Sequence, residues 1–112
     1  MKAKLVKDDL VLAKLRAICT TLPGTTEKQS WGHPNFCVNK KIYSGYENYK
    51  GEWFIFFRVE KDHQSLFLKD PRFVSTPYIG KNGWVSLRVE GRLRWAEIRG
   101  LVKESYRLVK GE

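Results

Sequence analysis

The 112 residues suffice for one hydrophobic core and not for two, and the 42% hydrophobic content with no low-complexity run specifies a chain that folds unaided. Against 12 acidic residues stand 21 basic ones, a net charge of +9 that points to an anionic partner or a solvated basic surface and away from an acidic metal site. No apolar run approaches the roughly 20 residues that cross a bilayer, and Asp8, Asp9 and Lys14 interrupt what a signal peptide would need as its apolar stretch, so the expectation is a cytoplasmic protein with no membrane partner.

Residues 1–7 read as a basic tail, with a single domain over 8–112. From Asp8 to about Thr21 the residues Val11, Leu15, Ile18 and Leu22 recur at helical spacing, with Asp8 or Asp9 as a cap and Pro23-Gly24 as the stop. Cys19 on this helix and Cys37 on a later strand fit no zinc spacing and read as buried thiols in a reducing compartment. Thr25 to Trp31 is a short polar strand, and Gly32-His33-Pro34 turns the chain, because proline biases the residue before it out of the helical region. Asn35 to Asn39 and Ile42 to Glu47 alternate as two strands joined by an Asn39-Lys40-Lys41 hairpin tip.

Trp53 to Val59 is the strongest strand: Trp53, Ile55, Phe57 and Val59 are apolar on one face, and the other carries Phe54, Phe56 and Arg58. Those two phenylalanines belong either to a base-stacking surface or beneath a helix or a partner chain. A short helix follows from Asp62, its candidate cap, to Lys69, and Phe73 to Tyr78 is extended but holds Pro77, the mark of an edge strand or irregular segment. Trp84 to Glu90 alternates cleanly, with Val85, Leu87 and Val89 on one side and Trp84, Ser86, Arg88 and Glu90 on the other. The last helix runs from Trp95 to about Lys110 on a stripe of Trp95, Ile98, Val102, Tyr106 and Val109. Arg92 and Arg94 stand where a capping side chain belongs, and Gly100 reflects close packing or simple tolerance.

The stretch Pro77-Tyr78-Ile79-Gly80-Lys81-Asn82-Gly83-Trp84-Val85 has the chemistry of a forced backbone excursion. Gly80 and Gly83 at positive φ would turn backbone N–H groups outward beside Lys81 as an anion-receptive corner; the alternative is a tight hairpin with a type I′ turn at Asn82-Gly83.

Catalytic arrangements are missing from the pattern, so no enzymatic activity is expected. The two histidines, His33 and His63, are far apart among unclustered acids, which argues against a metal or other cofactor, and Gly80 to Gly83 lacks the length and ending of a P-loop. From Lys81 to Lys110 there are eight basic residues and three acidic ones. Lys81, Trp84, Arg88 and Arg92 share a loop, a strand face and a turn suited to phosphates with one stacking ring, and Lys40 and Lys41 offer a second contact. Weighed against this, Arg88 can pair with Glu60 or Glu90 and merely solubilise the surface.

Five segments keep the order seen in a known family: a helix ending in Leu22-Pro23-Gly24, the stretch Trp31-Gly32-His33-Pro34-Asn35-Phe36, the Phe73-x-x-x-Pro77-Tyr78 segment, the Gly80-Lys81-Asn82-Gly83 loop, and a terminal helix with Trp95 and Ser105-Tyr106. Over residues 8 to 110 the chain resembles the MmcQ/YjbR family of small bacterial proteins. The resemblance implies a CyaY-like fold, often described as a double-wing DNA-binding arrangement, in which Trp31, Gly32, His33, Pro34, Pro77, Tyr78, Gly80 and Gly83 are structural turn residues. An iron-collecting role does not carry over, because Asp8 and Asp9 lie amid lysines and no acidic ridge is present.

The expected architecture is α+β, an antiparallel sheet of five to six strands with the N- and C-terminal helices on one face and a short internal helix. The leading functional expectation is backbone-directed DNA binding of low sequence specificity, and the second is a protein-interaction or homodimer surface built on Phe54, Phe56 and Trp84.

Overall fold

A computed structural model describes the backbone of residues 2–30 and 32–111, with the side chains of 10–30 and 32–111. Trp31, expected in the first turn, lies outside the described residues. Helix α1 spans Lys2–Thr20, so the segment expected as a tail is helical from Lys2, and Asp8 and Asp9 fall within the helix instead of capping it. Strands β1 (Thr26–Ser30), β2 (His33–Val38), β3 (Lys41–Tyr49) and β4 (Glu52–Arg58) follow as a meander. A 3₁₀ turn at Lys61–His63 leads into α2 (Gln64–Leu68), then β5 (Phe73–Ser75), a 3₁₀ turn at Gly80–Asn82, β6 (Trp84–Arg88) and α3 (Trp95–Lys110). The six strands form one antiparallel sheet in the order β1-β2-β3-β4-β6-β5. This is the α+β architecture that the alternating and helical periodicities specify.

Both long helices lie on one face of the sheet. Val11, Leu15 and Ile18 of α1 and Ile98, Val102 and Tyr106 of α3 share a core with Phe36, Tyr46, Ile55, Phe57, Val85 and Leu87. Tyr106 fixes the exit of α1, since its hydroxyl donates to the Pro23 carbonyl and its ring meets Tyr43 edge-on at 5.3 Å. Gly100 meets no neighbouring element, so it is tolerated and not needed for close packing. Asp62 sits inside the 3₁₀ turn, and no side chain caps that turn or α2.

Two tight hairpins turn through left-handed residues, Asn39-Lys40 at φ 52° and 66° and Lys50-Gly51 at φ 52° and 87°. β2 starts at His33, earlier than expected, because the turn rests on Gly32 at φ 80°. Pro34 is tolerated within β2 because pairing with β3 begins only at Asn35. Between Phe36 and Cys37 the register slips, leaving Tyr43 as the extra residue of a bulge in β3. β1 is polar and exposed on both faces, and a two-pronged ion pair at 2.7 and 2.8 Å from Arg16 of α1 to Glu27 holds it.

The sheet face away from α1 and α3 is closed as well. Phe54 and Phe56 are only 3% and 4% exposed. The Phe56 ring lies over Gly45, where a Cβ would come within 2.3 Å of it, and His33 and Trp84 flank the ring edge-on at 6.0 and 6.1 Å.

Candidate nucleic-acid interface

The strand register decides which basic side chains can act together. Trp84 pairs with Arg58 and Phe57 with Ser44, so the start of β6, the end of β4 and the start of β3 share one end of the sheet. Lys40, Lys41 and Lys81 therefore gather there, all exposed. Arg88 pairs with Phe54 and lies at the opposite end, followed by Arg92 in the turn toward α3. The residues that the sequence joins as one track are thus two groups, with Trp84 between them. Trp84 is half-buried, with its ring 6.1 Å from that of Phe56.

At the Arg88 end a cavity of about 210 Å³ opens among Pro71, Arg72, Leu87, Arg88, Arg92 and Arg94, with Glu90 and Glu97 also on its wall. Two of these arginines are fixed by carboxylates. Arg72 donates to Asp70 and to Glu97, each at 2.8 Å, and its bonds to Asp70 hold that carboxyl below its usual range. Arg88 donates to Glu52 at 2.8 Å and to the Pro71 carbonyl at 3.2 Å. The partner is neither Glu60 nor Glu90 but Glu52, two residues before Arg88's register partner Phe54 and on the same face. Arg92 and Arg94 are exposed, and neither forms an ion pair among the described residues. Arg94 takes the N-cap position of α3 with an extended backbone and offers no side-chain cap. The first turn of α3 thus has no side-chain cap, and its acid, Glu97, is engaged by Arg72.

The Gly80 to Gly83 loop is neither an anion corner nor a type I′ hairpin. Gly83 alone is left-handed, at φ 89°, while Gly80 and Asn82 are not. Both glycines answer to crowding: a Cβ on Gly80 would fall 1.9 Å from Ser75 Oγ, and one on Gly83 would fall 2.5 Å from the Val59 carbonyl oxygen. Gln64 Nε2 spans the loop by donating to the carbonyls of Gly80 and Trp84. Pro77 and Tyr78 precede it, and Tyr78 is 96% exposed at φ 70°. Tyr78, expected only as a turn residue, is thus also an exposed aromatic ring. The available signal was an aromatic side chain next to proline in a loop with lysine.

Chemistry elsewhere is subdued. His33 Nε2 lies 3.4 Å from Glu47 Oε1, and burial raises the Glu47 carboxyl above its ordinary range, opposed by the nearby imidazole. Burial likewise pushes the Cys19 thiol up to about 12 and raises Cys37, so both are poor nucleophiles in the folded chain. Among the described residues no three His, Cys, Asp or Glu side chains converge as metal ligands, and no helix is long and apolar enough to cross a membrane.

The fold is similar to that of DR2400 from Deinococcus radiodurans, a protein with a DUF419 domain, at a TM-score of 0.78 and 17% identity over 90% of this chain and 79% of that one. A Pseudomonas syringae protein solved in a structural-genomics programme is similar at a TM-score of 0.65 and 20% identity over 76% of this chain and 86% of that one. No curated protein matches the chain. The YjbR family matches over residues 20–108, from the end of α1 almost to the end of α3, and the chain belongs to the YjbR family.

Proposed function

We propose that this chain is a non-enzymatic DNA-binding protein that grips the phosphate backbone with low sequence specificity. The observation that carries the reading is the pair Arg92 and Arg94, exposed and without ion pairs among the described residues, set beside the uncapped start of α3 and a cavity walled by two further arginines. Guanidinium groups match phosphate oxygens bidentately, and a helix start adds N–H donors and positive potential. Lys40, Lys41 and Lys81 at the far end of the sheet supply a second contact, the arrangement a double-wing grip on a duplex requires. Two buried free cysteines suit the reducing cytoplasm. The interaction-surface reading has less to stand on, because Phe54 and Phe56 are buried within the chain itself.

Fluorescence anisotropy of labelled DNA over a salt series tests this, with an unrelated polyanion as competitor. Arg92→Glu with Arg94→Glu is expected to reduce the salt slope by about 2 and to weaken all DNA sequences alike. Equal affinity for any polyanion, or an unchanged slope in the double variant, sinks the assignment.

A further inference from the structure

We propose that Tyr78 is a stacking platform for an unpaired base, so that this chain holds single-stranded nucleic acid as well as the duplex backbone. The inference rests on the nucleic-acid reading above and deepens it. Tyr78 is 96% exposed, while the other aromatic candidates for stacking are occupied: Phe54 and Phe56 are buried and Trp84 packs on Phe56.

The backbone under Tyr78 is held in a conformation that a side chain with a Cβ disfavours. Its φ is 70°, and the Ile79 N–H donates to the Pro77 carbonyl at 2.8 Å, which makes a γ-turn of the rare positive-φ hand centred on Tyr78. The loop cannot relax this locally. On one side Thr76 donates its N–H to the Trp84 carbonyl, and its hydroxyl meets that of Ser86 at 3.0 Å. On the other, Gly80 is pressed against Ser75 and its carbonyl is held by Gln64. An anchored, disfavoured turn that projects a ring into solvent brings the fold no burial in return, and such strain collects at binding sites.

The surroundings select the ligand. The Tyr78 ring meets Tyr49 edge-on at 6.3 Å and 89°, and Lys50 Nζ sits 5.4 Å over the Tyr49 ring. Tyr49 is the register partner of Glu52, the carboxylate that holds Arg88 at the mouth of the arginine cavity. A stacking ring with Lys50 over its aromatic neighbour, connected in this way to the arginine end of the sheet, fits a polymer of bases and phosphates. Bases in a duplex are covered by their neighbours, and those of a single strand offer a free π-face.

The experiment measures binding of a single strand, its duplex and an abasic strand of the same length by wild type, Tyr78→Gly and Tyr78→Trp. Glycine both removes the ring and suits the positive φ, so the Tyr78→Gly chain is expected to melt no lower than wild type while its single-strand affinity falls about tenfold or more. Its affinity for duplex and abasic strand should not change, and Tyr78→Trp should bind the single strand at least as well as wild type. Full single-strand affinity in Tyr78→Gly, or equal losses on all three ligands, overturns the stacking role alone. A wild-type chain that binds none of the three overturns the nucleic-acid reading along with it.

Discussion

Ser105 closes the sheet at Tyr43. Its hydroxyl donates to the Tyr43 carbonyl at 2.5 Å and accepts the Arg58 N–H at 2.8 Å, so one side chain from α3 bridges β3 and β4 just past the Ser44–Phe57 pair, where their ladder ends. The side chain is fully buried, and water cannot take its place without moving the helix. Ser105→Ala strands a carbonyl and an N–H in the core, and we expect a loss of about 2–4 kcal/mol in urea denaturation. A loss under about 0.5 kcal/mol would mean that the seam repairs itself.

Gly45 is the floor on which Phe56 rests. A methyl group there would meet the ring at 2.3 and 2.6 Å and Asn35 Oδ1 at 2.9 Å. Gly45→Ala should cost about 1–3 kcal/mol through displacement of the ring. Adding Phe56→Leu should recover part of that loss, and additivity of the two single changes would show that the ring is not what the methyl strikes.

Arg94 separates stability from binding. Its backbone, at φ −95° and ψ 92°, is already that of an N-cap residue, but its side chain caps nothing. Arg94→Asp supplies an acceptor to the first turn of α3 and should stabilise the fold by about 1 kcal/mol. The same change should weaken DNA binding and lower its salt slope by about 1. A destabilised Arg94→Asp chain would show that the guanidinium supports the fold, against the role given to it here.

Glu47 sets a pH dependence whose sign follows from burial. Its folded carboxyl titrates above the unfolded one, so the folded chain binds that proton more tightly. The resulting stabilisation is complete below the unfolded value of about 4.3 and disappears as pH rises through the folded value. At neutral pH the fold therefore holds a desolvated charge. Glu47→Gln should raise the melting temperature at pH 7 and change it little at pH 3, and the reverse order would assign the carboxylate a net favourable pairing with His33.

Much of this architecture is written in local patterns. β4 alternates Trp53, Ile55 and Phe57 against Phe54 and Phe56; Ile55 and Phe57 are buried under the helices with Trp53 packed against them, and Phe54 and Phe56 are buried on the closed second face. What escaped a linear reading depends on residues distant in the chain. Gly80 is glycine because of Ser75, and Gly83 because of Val59, so their spacing imitates an anion loop for steric reasons. Arg88 chooses Glu52 through the register of β4 and β6, which only pairing defines. The separation of Lys81 from Arg92 is likewise a matter of strand direction: residues close in sequence stand at opposite ends of an extended strand. Tyr78 was in plain view as a residue, and its exposure was not.

The outer margin of the sheet has a sensitivity to acid built into it. β1 has no apolar face to sort inside from outside, so its attachment relies on contacts such as the Arg16–Glu27 pair. Those bonds to Arg16 hold the Glu27 carboxyl below its ordinary range, so their stabilising share is present above the unfolded value and is lost as pH falls through the folded one. In acid the strand loses this tie to α1 and keeps its ladder to β2, so the sheet's outermost edge, a row of backbone donors and acceptors open to another molecule, is held less firmly. Self-association in mild acid should therefore begin at this margin while the helix-covered core is still intact, and storage pH becomes a property of one edge strand.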